Sequence, residues 1–456
     1  MLSDLAYLSY PLPPDIQRLF EAGDFARMNR IIDARIAAPE TPQCLKDRLR
    51  FQQAVAAEIP RAYPYTQAQL LAMLRRQVRD FSEDELEALR DDGTLDWRYV
   101  DGEVRFKDNC IDSMLKTRAA YAARALNPQV RAGAAQRSRA LDAVIAGMKA
   151  KGCGRLRFTL REQITVSSPR LTPGETLRVH LPLPVVHAQV AGAQLLATSH
   201  AAAAVNAPDE PHRSVYFELP YEPGMTVWAD IAYEINAPYV QPDPDKVVCD
   251  HPDFCLEEQP PHVVFTPYLR ALAKEIVGGE TNPLRKARLI YDFITTKAVY
   301  RYMPPYMTVA NIPEYFLSGL RGDCGVQAIT FITLCRLAGI PAVWQAGLYT
   351  TPDSTGNHDW ARFYVAPYGW LYADCSFGGS AYRTGNADRW NFYFGNLEPW
   401  RLPLCSDFQQ ELNPPRRFLR RDPYDNQNGE IESLTRALSV DEYETASRIL
   451  SCEELN

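Results

Sequence analysis

The 456-residue sequence lacks any run of 18 consecutive apolar residues, so we expect no membrane-spanning helix and no membrane partner. Its first ten residues lack basic side chains and a continuous apolar segment, and Pro11 and Pro13 follow them, so we expect no signal peptide. The ten cysteines are scattered rather than paired at regular spacings. Reduced thiols and a cytoplasmic location are therefore expected instead of a disulfide framework.

No charge sign dominates the chain, and it contains no internal repeat and no low-complexity tract. Lys and Arg number 49 against 56 Asp and Glu, which gives a net charge of −7. A chain-wide basic surface is thereby excluded, and we expect no nucleic-acid partner. Hydrophobic residues make up 46% and charged residues 23%, values typical of globular proteins. At roughly 100–200 residues per domain, the length predicts several domains.

Residues 1–151 are predicted to form a mainly helical region with a winged-helix-like hairpin. Ser82 and Glu85 have the spacing of a capping box, and the stretch 95–106 predicts a hairpin that turns at Asp101-Gly102. The helix before this hairpin is acidic, with Glu or Asp at 83, 84, 85 and 87. Because these side chains would repel phosphates, a packing or substrate-shaping role is favoured over DNA binding.

Residues 155–240 show the alternation of apolar and polar side chains that is typical of antiparallel strands, and they predict a β-sandwich-like domain. A Pro- and Asp-rich linker follows at 241–245. Residues 406–456 are predicted to be a C-terminal extension that ends in a polar helix at about Val440–Ser451.

The linker region contains a small group of sulfur and imidazole side chains. Cys249, His251, Cys255 and His262 include the ligand types of a zinc site, and a metal-dependent enzyme is one hypothesis that they raise. Their spacing matches no common zinc motif, so incidental residues of a loop are the favoured interpretation. We expect neither a metal nor a cofactor.

The segment 320–341 places a cysteine at the start of an apolar helix. Gly322-Asp323 supplies a turn and an N-cap, Cys324 follows in the first helical turn, and the helix is predicted to end at Ala338-Gly339. The unpaired N–H groups at a helix N-terminus stabilise a thiolate and lower the pKa of a cysteine. Cys324 is therefore a candidate nucleophile, with a small core residue as the alternative.

A predicted hairpin downstream supplies a histidine and a carboxylate. His358 begins the strand that runs to Val365, and Asp374 ends the strand that returns from Trp370. Both residues lie eight positions from residue 366 near the turn, so we expect them nearly opposite one another. A carboxylate beside an imidazole fixes its tautomer and favours the imidazolium, and a cysteine completes a set for thiol acyl transfer.

The order and flanks of these residues resemble the transglutaminase-like superfamily. The resemblance is carried by Gly322-Asp-Cys324, by the helix that leads to Gly339-Ile-Pro341, by His358-x-Trp360 and by Gly369-Trp370-x3-Asp374. It covers about residues 265–405, and the core is placed at 260–405. The resemblance implies a papain-like fold and a catalytic triad of Cys324, His358 and Asp374. Arg362 stands where many members of the family have an acidic residue.

The remaining candidate site residues are aromatic. The tryptophan that stabilises the oxyanion in vertebrate transglutaminases has no clear counterpart, and Tyr300 or Tyr302 is the candidate donor besides the backbone N–H of Cys324. Trp360, Trp390 and Trp400 are candidates for lining a substrate groove, and core packing is the alternative for the aromatic stretch 390–400.

These observations predict an α+β fold, in which a β-sandwich-like domain and a mainly helical region precede a papain-like transglutaminase core. They predict a cysteine peptidase or amidase that hydrolyses a peptide or related amide bond. Transamidation of protein glutamine and a non-catalytic peptide- or glycan-binding module are the alternatives. The sequence leaves the oligomeric state and the identity of the substrate open.

Overall fold

The computed structural model describes residues 4–127, 129–248, 252–420 and 422–455. By their internal packing, the residues divide into two compact units. The first consists of Met1–Ala140, Glu258–Val264 and Lys297–Val326, and the second of Leu141–Glu257, Phe265–Thr296 and Gln327–Asn456. The segment predicted as the core at 260–405 thus contributes to both units, and the predicted domain boundaries stay predictions. None of the helices in the described ranges combines the length and hydrophobicity that crossing a bilayer requires.

Helices make up most of the N-terminal region, as the sequence predicts. They are α1 (Pro14–Glu21), α2 (Phe25–Ala37), α3 (Gln43–Ala62), α4 (Gln67–Gln77), α5 (Glu83–Asp91), α6 (Cys110–Thr117), α7 (Ala119–Arg124) and α8 (Gln129–Lys151). The predicted capping box is confirmed at α5, where the backbone N–H of Glu85 donates to Ser82 Oγ at 3.2 Å. The side chain of Glu85 in turn accepts from the backbone N–H of Ser82 at 2.9 Å. This reciprocal pairing satisfies two N–H groups that a helix start leaves without partners.

The predicted hairpin is also confirmed and is part of a small sheet. Its strands are β1 (Tyr65–Thr66), β2 (Trp97–Val100) and β3 (Glu103–Phe106), in the order β1-β3-β2. Asp101 and Gly102 both have positive φ angles, of 47° and 88°, as a tight two-residue hairpin turn requires.

The first unit ends with the segment that leads to Cys324. Strand β10 (Val299–Tyr300) pairs in parallel with β11 (Arg321–Gly322), and helix α11 (Ile312–Gly319) connects them. Helix α12 (Cys324–Leu337) starts immediately after β11. Leu320, between α11 and β11, has a φ of 51°, so the chain reverses through a left-handed residue before it reaches the cysteine.

Two four-stranded sheets in the second unit form the predicted sandwich. The strands are β4 (Cys153–Val166), β5 (Thr176–Pro182), β6 (Val190–Thr198), β7 (Ala204–Val205), β8 (Ser214–Pro220), β9 (Thr226–Pro238), β17 (Glu430–Ser433) and β18 (Tyr443–Glu454). Their orders are β17-β5-β8-β7 and β18-β4-β9-β6. Buried apolar residues of both sheets, such as Ile164, Val179 and Phe217, form one shared core.

The prediction of a final helix at about Val440–Ser451 is wrong, because this segment is strand β18. It pairs antiparallel with β4, from Tyr443 opposite Val166 to Glu454 opposite Leu156. The long open edge of β4 offers backbone hydrogen bonds that outweigh the weak helical preference of a polar segment.

A five-stranded sheet with flanking helices completes the second unit. Its strands are β12 (Ala342–Thr351), β13 (Ser354–Val365), β14 (Gly369–Ala373), β15 (Phe394–Gly395) and β16 (Arg401–Cys405), in the order β15-β14-β13-β12-β16. The helices are α9 (Pro267–Val277), α10 (Pro283–Lys297), α13 (Cys375–Arg383) and α14 (Ala387–Phe392). A Cβ atom on Gly347 would lie 2.0 Å from the carbonyl oxygen of Leu402, so this glycine lets β16 approach β12 closely.

Candidate active site

His358 and Asp374 form a buried hydrogen-bonded pair, with 2.7 Å between Nε2 and Oδ2. Strands β13 and β14 pair with Ala361 opposite Ala373, a register that would place Trp360 opposite Asp374 if it continued. His358 therefore reaches the carboxylate diagonally, from two residues further along the same face. The sequence predicts the two residues nearly opposite one another, whereas the observed register differs from that pairing by two positions. The reason is that the turn is centred one residue later than residue 366.

Asp374 is the N-cap of helix α13 rather than the last residue of a strand, since β14 ends at Ala373. Its Oδ1 accepts the backbone N–H of Phe377 at 2.8 Å, which leaves Oδ2 for His358. The helix start therefore fixes the carboxylate plane, and the two oxygens have separate tasks.

Arg401 forms an ion pair with the same carboxylate. Its Nη1 lies 2.7 Å from Asp374 Oδ2, and its Nε lies 2.6 Å from Glu398 Oε1. All three side chains are completely buried. The candidate site therefore contains a continuous chain of polar groups from Glu398 through Arg401 and Asp374 to His358.

Burial and charge act in opposite directions on this pair. Burial raises the pKa of Asp374, but the charges of His358 and Arg401 outweigh it and lower that pKa to about 2. Burial lowers the pKa of His358 below its usual 6.5, and Asp374 counteracts this only in part. Asp374 is therefore ionised at neutral pH and accepts a hydrogen bond, so Nε2 carries the hydrogen and Nδ1 is the basic nitrogen of a neutral imidazole.

A hydrogen-bond network fixes the strand that carries His358. Trp360 has no exposed surface, and its Nε1 donates to Gln345 Oε1 at 2.6 Å. Gln189 donates to the same oxygen at 3.0 Å, and the hydroxyl of Tyr372 donates to Gln189 at 2.9 Å. Trp360 thus lies in the core beside the histidine and does not line an open groove.

Cys324 is the partly exposed first residue of α12. Asp323 caps this helix, because its Oδ1 accepts the backbone N–H of Val326 at 3.2 Å. The same carboxylate accepts from the Tyr306 hydroxyl at 2.5 Å and from the backbone N–H of Met303 at 3.3 Å. A Cβ on Gly322 would lie 2.5 Å from Val326 Cγ1, so glycine is needed for the close turn into the helix. The helix N-terminus favours the thiolate form of a cysteine at this position.

The two tyrosines before α12 contact one another edge-on at 5.2 Å and differ in burial. Tyr300 is buried, and the ammonium of Lys116 lies 3.6 Å from the centre of its ring. Tyr302 is half-buried; burial raises the pKa of its hydroxyl, and negative charge on Asp112 and Cys324 raises it further. Tyr302 therefore keeps its proton as a hydrogen-bond donor, and the choice between Tyr302 and Tyr300 as oxyanion donor stays a prediction.

The other aromatic candidates pack against the protein. Trp400 is only 6% exposed and lies edge-on to Tyr349. Trp390 is half-buried, and its Nε1 donates to Thr295 Oγ1 at 2.9 Å. Arg362, at the position where many family members have an acid, contacts His187 Nε2 at 2.7 Å. These packed positions favour structural roles, and a groove role for Trp390 stays a prediction.

Among the described residues, no cluster of His, Cys, Asp or Glu has the arrangement of a metal site. Cys249 and His251 of the zinc hypothesis lie outside the described residues, and that hypothesis gains no support from Cys255 and His262.

The structure brings His358 and Asp374 together within the second unit. Cys324 belongs to the first unit, and its contact with His358 stays a prediction from the sequence. Sequence reasoning missed Arg401 and Glu398 altogether. Their signal was a pair of opposite charges three residues apart at the end of an aromatic stretch, a pattern that is common on protein surfaces.

A comparison with known families matches the segment that contains Cys324, His358 and Asp374. The family model of the transglutaminase-like superfamily matches residues 270–375. A Haemophilus influenzae protein, described as uncharacterized, is 26% identical over 137 residues, and the match covers 25% of this chain. It spans only 37% of the length of that relative.

Solved structures with low sequence identity are also similar. A candidate cysteine protease from Cytophaga hutchinsonii is 14% identical, with a TM-score of 0.42, over 67% of this chain and 91% of that one. The periplasmic domain of TgpA from Pseudomonas aeruginosa is 15% identical, with a TM-score of 0.28, over 52% of this chain and 91% of that one. Residues 270–375, which include Cys324, His358 and Asp374, are thus similar to the core of the transglutaminase-like superfamily.

Proposed function

We propose that this protein is a thiol-dependent acyl-transfer enzyme that hydrolyses a peptide or related amide bond. Cys324 is the nucleophile, His358 is the general base and acid, and Asp374 orients the imidazole. The observation that carries this proposal is the 2.7 Å pair of His358 Nε2 and Asp374 Oδ2, which leaves Nδ1 as the basic nitrogen. A buried, ionised carboxylate behind a neutral imidazole is the arrangement that proton transfer from a thiol requires.

The reaction begins when Nδ1 of His358 takes the proton of the Cys324 thiol. The thiolate attacks the amide carbonyl, and the backbone N–H of Cys324 and the Tyr302 hydroxyl stabilise the oxyanion. His358 then protonates the leaving amine, and a thioester remains on Cys324. Water releases the acid in a second step, with His358 again acting as the base.

Hydrolysis is favoured over transamidation by the resemblance to microbial members of the superfamily. In transamidation, a second amine would replace water at the thioester, and the same triad would serve both reactions. The third candidate is a peptide- or glycan-binding module without catalysis. It predicts an intact fold in which Cys324 reacts like an ordinary thiol.

The proposed substrate is a peptide, a protein or another compound with an amide bond, and the proposed location is the cytoplasm. The cysteines of the described residues are free thiols, in agreement with a reducing compartment. We propose no nucleic-acid or membrane partner.

The pH dependence of Cys324 alkylation by iodoacetamide, measured by mass spectrometry of its peptide, tests the proposed nucleophile. Cys44 is exposed and is the reference for an ordinary thiol in the same sample. We expect Cys324 to react at a lower pH than Cys44, because a thiolate forms beside an imidazolium. We expect His358→Ala to abolish this advantage and to leave the rate at Cys44 unchanged.

A peptide library with mass-spectrometric detection distinguishes the reactions, since hydrolysis yields new termini and an added primary amine is incorporated only in transamidation. Cys324→Ala must abolish either product. If iodoacetamide modifies Cys324 and Cys44 of the folded wild-type protein at the same pH, the thiolate–imidazolium proposal is wrong. The binding module then becomes the favoured function.

A further inference from the structure

Arg401 occupies an unusual position for a buried cation, because it touches the carboxylate behind the candidate base. Oδ2 of Asp374 lies 2.7 Å from both His358 Nε2 and Arg401 Nη1. Two positive or potentially positive groups therefore share one carboxylate oxygen. A second carboxylate, Glu398, lies 2.6 Å from Nε of the same arginine.

The surroundings of the guanidinium are aromatic rather than aqueous. Its central carbon lies 4.2 Å from the ring centre of Phe377, 5.2 Å from Tyr349, 5.5 Å from Tyr393 and 5.8 Å from Trp360. Phe377 also contacts the His358 ring edge-on at 4.8 Å. In this enclosure charges are poorly screened, so each charged group affects the protonation of the imidazole more strongly than it would at the surface.

The sum of the charges explains why two carboxylates accompany one arginine. With neutral His358, the group of His358, Asp374, Arg401 and Glu398 has a net charge of −1. When His358 takes a proton from a thiol, the group becomes neutral. The buried charge is therefore smallest in the protonated state that the first step of thiol chemistry creates.

We propose that Arg401 is a positioning residue of the candidate site, and that Arg401 and Glu398 together set the basicity of His358 through Asp374. Arg401 holds the carboxylate in place and withdraws part of its negative charge from the imidazole. Glu398 compensates part of the charge of Arg401. This role rests on the proposed function, since the basicity of His358 matters to catalysis only if His358 serves the thiol.

The two groups have opposite effects on the histidine. The charge of Arg401 lowers the pKa of His358, whereas the charge of Glu398 raises it. The other titratable groups close to His358, Asp374, Arg401 and Glu398 are Tyr291, Tyr349, Tyr393 and Cys375. Burial raises the pKa of Tyr291, Tyr393 and Cys375 well above the usual values, so these three stay neutral while His358 titrates.

An NMR titration of His358 in the Cys324→Ala background tests this role without any catalysis. The full-length protein is labelled on histidine, and the signal of His358 is assigned by its loss in a His358→Gln variant. We expect Arg401→Gln to raise the pKa of His358 by about one pH unit or more, and Glu398→Gln to lower it. Arg401→Lys keeps the charge and should return the pKa towards the wild-type value.

Arg178→Gln is the matched control, because Arg178 is another buried arginine and lies 2.6 Å from Glu432, within the sandwich. It should destabilise the fold without moving the pKa of His358. If Arg401→Gln does not fold, Glu398→Gln carries the test, since a glutamine still accepts from Arg401 Nε. Shifts of the same sign in Arg401→Gln and Glu398→Gln, or no shift in either, would overturn the proposal.

The outcome is separable from the proposed function. Opposite shifts of the His358 pKa, combined with ordinary reactivity of Cys324 in the wild type, would support the role of Arg401 and refute the nucleophile. If Cys324 reacts at a lower pH than Cys44 while neither variant moves the pKa of His358, the nucleophile is supported and the role of Arg401 is refuted.

Discussion

Replacing Gly347 by alanine should loosen strand β16 and with it Arg401. Gly347 pairs with His358 on one side and with Pro403 on the other. An added Cβ would lie 2.0 Å from the Leu402 carbonyl oxygen and 2.6 Å from the Leu404 backbone nitrogen. Because both are backbone atoms of a paired strand, no side-chain rotation relieves the clash. Overpacking of this kind costs about 1–3 kcal/mol.

The chain contains its own reporter for the loosening of β16. Cys405 is the last residue of that strand and is completely buried. A destabilisation of 1–3 kcal/mol increases the population of the open strand about 5- to 150-fold, and the rate of Cys405 alkylation under native conditions should rise by the same factor. Mass spectrometry of the Cys405 peptide measures this rate directly.

Gly356→Ala is the matched control, because Gly356 lies on the adjoining strand β13 and no atom lies within 4 Å of its added Cβ. In Gly356→Ala, the rate of Cys405 alkylation should stay within about twofold of the wild-type rate. Equal rates at Cys405 in Gly347→Ala and Gly356→Ala would refute the reasoning, since the close approach of β16 would then have no energetic consequence.

Three polar side chains, those of Glu162, Asp323 and Tyr302, give further predictions. Burial raises the pKa of Glu162 from 4.5 to about 8, so the folded state holds a proton that the unfolded chain loses as pH rises between those values. Glu162→Gln should therefore raise the free energy of unfolding, measured in urea, more at pH 8 than at pH 5. The gain should grow by about 1.4 kcal/mol per pH unit within that window, and an equal gain at both pH values would contradict this. Asp323→Ala should lower the free energy of unfolding in urea by at least about 1 kcal/mol, because the N-cap is lost. Asp323→Asn should lower it less, because the amide keeps an acceptor oxygen. The reverse order would exclude the capping role. If Tyr302 is the oxyanion donor, Tyr302→Phe should lower kcat about 100-fold or more while Tyr300→Phe has little effect, and equal activities would remove it from the mechanism.

The sequence predicts local features well where a short pattern of residue types favours a single local structure. The capping box at Ser82, the turn at Asp101-Gly102 and the alternation across β4 and β9 all appear in the structure as expected. The sequence also predicts that His358 and Asp374 form a pair, because their spacing around a short turn brings them close on one face of a hairpin.

Long-range pairing could not be predicted in the same way. A polar segment such as 443–454 has no strong preference of its own, and it becomes a strand only because β4 offers a partner. Arg401 was missed for a related reason. Glu398 and Arg401 form a common pair of opposite charges in the sequence, and only the fold places the arginine against Asp374, which lies 27 residues earlier in the chain.

The pairing of β4 with β18 has a consequence for synthesis. Ser447 contacts Glu162 across a separation of 285 residues, so at 5–20 residues per second β4 leaves the ribosome about 15–60 s before its partner exists. During that time a 14-residue strand has an unfilled edge, which is a template for aggregation.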